Sequence, residues 1–121
     1  MTTGKTLAWA GLIGLIGLVS PAAAHHSFAM FDQTKLLNTK GMVSQFRWTN
    51  PHTYLYAHDA SGTKWAFEGM SPNHLVRFGW SKRSVQPGDQ IDITYYPLRT
   101  GQPGGMLKTV TLPGGQTLSA W

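Results

Sequence analysis

Five histidines follow residue 24, and they are the main candidates for chemistry in a chain that has no cysteine. They are His25, His26, His52, His58 and His74. Neutral imidazole is the commonest side-chain ligand for metals such as copper, zinc and nickel. His52 and His58 are six residues apart, and on one strand this spacing separates them by about 20 Å. At most one of these two histidines can therefore join any single metal site.

The residues before His25 have the pattern of a secretory signal peptide. Lys5 supplies a positive charge, residues 7–19 form an uncharged apolar run, and small residues follow up to Ala24. The apolar run is shorter than the ~20 residues that a transmembrane helix needs, so we expect no permanent membrane anchor. We therefore predict that residues 1–24 are a signal peptide and that the protein is exported.

The position of signal cleavage determines which metal chemistry is open to His25. Cleavage after Ala24 frees its α-amine, and the amine and ring Nδ1 can then chelate one metal ion. A second imidazole, from His52 or alternatively His26, would complete a three-nitrogen Cu(II) site of the kind called a histidine brace. Cleavage after Ala22 would instead offer the amine, two amide nitrogens and the His25 ring as a square-planar site for Cu(II) or Ni(II). Both cleavage positions predict a copper ligand at the amino terminus, with zinc or nickel as other candidate metals.

A structural interpretation of the same histidines also stays open. His25 and His26 could simply be polar residues after a cleavage site, and His52 could hydrogen-bond within a turn. The metal hypothesis predicts a carrier or buffer, since the acidic residues form no close pair for acid–base catalysis and no serine has a nucleophile-elbow context. Enzymatic activity is therefore not expected, although a copper oxidase would need the same brace.

After residue 40, apolar and polar residues alternate with the period of two that is typical of β-strands. This pattern predicts three strands, at residues 41–48, 53–58 and 64–70, and a short helix after Ser71. It predicts two further strands near residues 91–96 and 104–112. This is the element order of an OB-fold, in which a helix closes a five-stranded barrel between strands 3 and 4. We predict an all-β protein with an arm at residues 25–40 and an OB-like barrel at residues 41–121. Another small barrel or a β-sandwich would also fit this order.

Periodicity predicts which apolar side chains of these elements face the core. They are Met42, Phe46 and Trp48 on the first strand, and Leu75, Val76 and Phe78 on the helix.

A second hypothesis is a binding module without a metal. The barrel would present an aromatic and cationic face to a small ligand or a partner protein, formed by Tyr54, Tyr56, Trp80 and Arg99. The net charge is +5, but the ten basic residues are scattered and do not form the clustered stripe of a nucleic-acid binder. We therefore expect no nucleic-acid partner.

Several short strings carry a resemblance to a known family. They are residues 25–32 (HHSFAMFD), 50–52 (NPH), 71–75 (SPNHL), 87–89 (PGD) and 97–99 (PLR). In this combination the chain resembles the small exported bacterial proteins of domain of unknown function family 6152. The resemblance covers nearly all of the chain after the predicted signal peptide and implies a periplasmic location. It implies little about activity. The chain is also similar in expected fold and location to periplasmic copper chaperones of OB type, whose ligand spacing it does not reproduce.

Overall fold

Residues 28–121, the part of the chain that the computed structural model describes, contain six β-strands and a short helix. The strands are β1 (Leu37–Arg47), β2 (Tyr54–His58), β3 (Lys64–Glu68), β4 (Gln90–Pro97), β5 (Gly104–Thr111) and β6 (Thr117–Ser119). The helix α1 (Pro72–Arg77) lies between β3 and β4. The predicted signal peptide, His25 and His26 lie outside the described residues.

The first five strands close into a barrel. Antiparallel pairs join β3 to β2, β2 to β1, β1 to β4 and β4 to β5, and a parallel pair between β3 and β5 completes the circle. The sixth strand forms a hairpin with β5 outside this circle. The prediction of a small all-β barrel with one short helix between strands 3 and 4 is confirmed, and the order of pairing is OB-like.

A β-bulge in β1 determines which of its side chains face the core. The register with β2 shifts between Val43 and Gln45, and one extra residue on a strand reverses the faces of the residues before it. Val43 is therefore buried, whereas Met42 is 46 % exposed. Phe46 and Trp48 pack against the core as predicted, but the prediction for Met42 is wrong. The strand also begins at Leu37, within the segment expected to be an arm.

The helix buries less than its apolar residues suggested. Ser71 caps its amino terminus, and Leu75 is fully buried, but Val76 and Phe78 are 58 % and 43 % exposed. The prediction for those two residues is wrong, because a helix of six residues presents little more than one turn to the barrel. Trp80, after the helix, takes the core position and donates its indole N–H to the Ser119 carbonyl at 2.7 Å.

Asp59 organises the turn between β2 and β3. Its Oδ1 accepts hydrogen bonds from the Ser61 hydroxyl and from the backbone N–H groups of Ser61 and Thr63. Its Oδ2 accepts one from the Trp65 indole N–H at 2.9 Å. The bonds from the Ser61 hydroxyl and the Trp65 indole are the main reasons that the pKa of Asp59 is lowered to about 2.

This lowered pKa predicts a pH dependence of stability. The carboxylate stabilises the fold above its unfolded pKa of 3.8, and that contribution is lost as the pH falls toward about 2. We expect the free energy of unfolding to fall more steeply below pH 4 in the wild type than in Asp59→Asn. Urea unfolding at a series of pH values measures both slopes, and Trp65→Phe, which loses one donor, should fall between them. Parallel slopes would contradict the role given to Asp59.

Candidate metal site at the β1–β2 connection

The segment that leads into β2 is held against the end of β3 by Thr53. This residue is 1 % exposed, and both its backbone N–H and its hydroxyl donate to the Met70 carbonyl, at 3.1 and 2.9 Å. In return, the Gly69 N–H donates to the Thr53 carbonyl at 2.8 Å. The approach is so close that a Cβ atom on Gly69 would overlap the Thr53 hydroxyl oxygen. The glycine is therefore required for this contact.

His52 is positioned by the contacts of its neighbour Thr53. Its ring Nδ1 lies 3.2 Å from the Gly69 carbonyl oxygen and 3.5 Å from Glu68 Oε1. The side chains of His52 and Glu68 are 27 % and 19 % exposed. When Nδ1 carries the proton and donates to Gly69, the lone pair of Nε2 is free to bind a metal. Metal-binding histidines commonly donate their second ring N–H to a carbonyl or a carboxylate in this way.

Glu68 is a potential site residue that sequence reasoning did not select. It lies directly opposite Tyr54 in the β2–β3 pair, one residue along the chain from the carbonyl that His52 contacts. The alternation of β3 indicates that Glu68 faces away from the core, but alternation does not reveal the register of two strands. Only the pairing of β2 with β3 brings its carboxylate to His52.

Two tyrosines cover the outer face of β2 beside this pair. The rings of Tyr54 and Tyr56 are stacked with centroids 6.4 Å apart, and the Arg47 guanidinium carbon lies 5.9 Å from the centre of the Tyr54 ring. Partial burial raises the pKa of the Tyr54 hydroxyl, and the nearby Glu68 carboxylate raises it further. The Tyr54 hydroxyl therefore stays protonated beside the Glu68 carboxylate.

The four residues of the predicted aromatic and cationic face do not share one surface. Tyr54 and Tyr56 lie together on β2, but Trp80 is 2 % exposed in the core. Arg99 holds the segment before β1, because its side-chain Nε donates to the Ala29 carbonyl at 3.0 Å. Trp80 is thus not available to a ligand on the surface of β2.

The other two histidines within residues 28–121 make their contacts with other residues than His52. His58 is at the far end of β2, paired with Met42 on β1, and His74 on α1 stacks against Phe78 with ring centres 4.9 Å apart. Within residues 28–121, no group of three or more histidine, aspartate or glutamate side chains could hold a metal ion. His52 and Glu68 would therefore need further ligands from elsewhere.

Comparison with known proteins agrees with the resemblance seen in the sequence. A family model described as "Family of unknown function (DUF6152)" matches residues 13–108, about four fifths of the chain. The chain belongs to the DUF6152 family. No curated protein matches this DUF6152 chain. Within residues 28–121, no helix has the length and apolar character that a membrane span needs.

Proposed function

We propose that this DUF6152 protein is a periplasmic copper-binding protein, a carrier or buffer, in which His52 is the metal ligand that the barrel supplies. The observation that supports the proposal is the hydrogen bond that holds His52 Nδ1 on the Gly69 carbonyl at 3.2 Å. It orients the ring and leaves Nε2 as a lone-pair donor. The Glu68 carboxylate, 3.5 Å from the same Nδ1, is a second partner that helps to hold the ring in this orientation.

One imidazole does not make a tight site, and His25 would supply the other nitrogens. Signal cleavage after Ala24 gives His25 a free α-amine beside its ring, and these two nitrogens with His52 Nε2 form the three-nitrogen set that suits Cu(II). His25 is three residues before Phe28, where the described chain begins, and three residues span at most about 11 Å. The proposal therefore requires the His25 nitrogens that bind the metal to be carried by a segment of that length, which starts at Phe28.

A carrier fits the exposure of His52 better than an enzyme does. A metal on a side chain that is 27 % exposed lies near the surface, where a partner protein can exchange it. Among residues 28–121, the carboxylate at the ring is that of Glu68, and it is placed to hold Nδ1, so it is not free for acid–base chemistry. The proposed partners are consequently the metal ion and a periplasmic protein that delivers or receives it.

The test is a Cu(II) titration of the exported protein, followed by EPR, after intact mass has located the first residue. We expect His52→Ala to lose one nitrogen from the EPR hyperfine pattern and to bind Cu(II) at least 100-fold more weakly. Glu68→Gln, which changes only a group that orients the ligand, should weaken binding about 10-fold. His58→Ala serves as the control, because His58 lies at the other end of β2, and it should bind like the wild type.

A second arm tests the amino terminus. A variant with one extra residue before the mature first residue keeps every side chain but moves the α-amine, and it should lose the three-nitrogen spectrum. Equal Cu(II) affinity in wild type, His52→Ala and the extended variant would overturn the proposal. If His52→Ala alone kept the wild-type affinity for Cu(II), His52 would not be a ligand, and only the amino terminus would bind the metal.

A further inference from the structure

A cleft between the end of β1 and the loop that leads into β4 shares no lining residue with the His52 site. It measures about 600 Å³, within the range of small-molecule sites. Its lining includes Phe46 and Trp48 from β1 and the following residues, and Lys82, Arg83 and Gln86 from the loop. Aromatic side chains and cations thus face one cleft, which no metal site or catalytic role uses.

The floor of the cleft is aromatic and fixed. Phe46 contacts Trp48 edge to face, with centroids 5.8 Å apart, and Phe46 also packs on the buried Trp80 ring at 5.9 Å. Val85, which is 2 % exposed, completes the floor from the loop side. Trp48 is itself only partly buried, so part of its ring is open to the cleft. Such a surface favours a flat apolar group.

The rim of the cleft is cationic. Lys82 and Arg83 are exposed neighbours, and neither forms an ion pair with any acidic residue of the chain from Phe28 onward. Their backbone is held by a compact turn, in which the Ser81 N–H donates to the Ser84 hydroxyl at 2.8 Å and the Arg83 N–H donates to the Ser81 hydroxyl at 3.2 Å. No acidic residue lines the cleft.

We propose that this cleft binds a small aromatic carboxylate, with its ring against Trp48 and Phe46 and its carboxylate at Lys82 and Arg83. The aromatic floor supplies apolar contact and stacking, and the two cations bind the anion and set its orientation. A cation would be repelled by the same rim. The proposal is independent of copper binding, since the cleft shares no residue with the His52 site.

The test uses 2-naphthoate as the probe and compares it with its neutral analogue 2-naphthylmethanol and with acetate. Binding is measured by amide NMR shifts and by tryptophan fluorescence. We expect 2-naphthoate to bind about tenfold more tightly than either comparison compound, with shifts centred on residues 45–48 and 82–87. The double variant Lys82→Gln/Arg83→Gln should weaken naphthoate binding about tenfold, as expected for two exposed charge contacts, and leave naphthylmethanol binding unchanged.

The control is Lys64→Gln/Arg77→Gln, which removes the same charge at two exposed positions outside the cleft lining and should bind naphthoate within twofold of the wild type. Trp48→Leu should weaken both naphthyl compounds, with a thermal melt to show that it is folded. Equal losses in the two double variants would show a general effect of charge and overturn the proposal. So would naphthoate shifts centred elsewhere, or no saturable binding.

Discussion

Gly105→Ala is expected to strain the closure of the barrel and to destabilise the fold. Gly105 lies on β5 between two partners, opposite Pro97 on β4 and Phe67 on β3. A Cβ atom there would overlap the backbone oxygen of Tyr96 and approach Tyr95 Cδ2 to 2.8 Å. Since the clash is with backbone, a strand must move to relieve it. We expect a loss of about 3 kcal/mol or more in the free energy of unfolding, a large share of the ~5–15 kcal/mol typical of a domain.

Urea unfolding followed by circular dichroism measures this loss, and Gly114→Ala is its matched control. Gly114 lies in the turn between β5 and β6, where a new Cβ would meet no atom within 4 Å. That variant should stay within about 0.5 kcal/mol of the wild type. If the two alanine variants were equally stable, β5 would not approach β4 as closely as the structure shows.

Gly69→Ala is expected to destabilise the protein and to displace His52. Its Cβ would overlap the Thr53 hydroxyl oxygen, whereas the Thr53 Cβ and carbonyl oxygen are both 3.6 Å away. The clash is therefore with one removable atom. We expect Gly69→Ala to cost about 2–3 kcal/mol by overpacking, and Thr53→Ala to cost about 1–2 kcal/mol through its lost hydrogen bond to Met70.

The double variant Thr53→Ala/Gly69→Ala distinguishes this cause from a general loss of glycine flexibility. Because removal of the hydroxyl makes room for the new methyl group, its cost should be at least 1 kcal/mol less than the sum of the two single costs. Strict additivity would show that the clash is not the cause. Cu(II) titration of the variants tests the link to the metal site. Gly69→Ala should weaken Cu(II) binding because the His52 ring is displaced, whereas the control Thr53→Ser should not weaken it.

These predictions depend on contacts between residues far apart in the sequence, and local patterns could not supply them. Alternation predicted the strands and placed Phe46 and Trp48 correctly against the core, since burial on one face of a strand has a period of two. The same rule failed at Met42, because one extra residue at a bulge changes the face without leaving a mark in composition.

The sequence alone determined the class of fold, the order of its elements, the family and the residue types capable of binding copper, because these follow from local periodicity, caps and short motifs. The tertiary structure decided which of those residues meet. It put Trp80 in the core, since the helix is too short to fill that space, and it brought Glu68 and the Gly69 carbonyl to His52. Strand register is set by packing and turn geometry across the whole barrel, so no single segment encodes it.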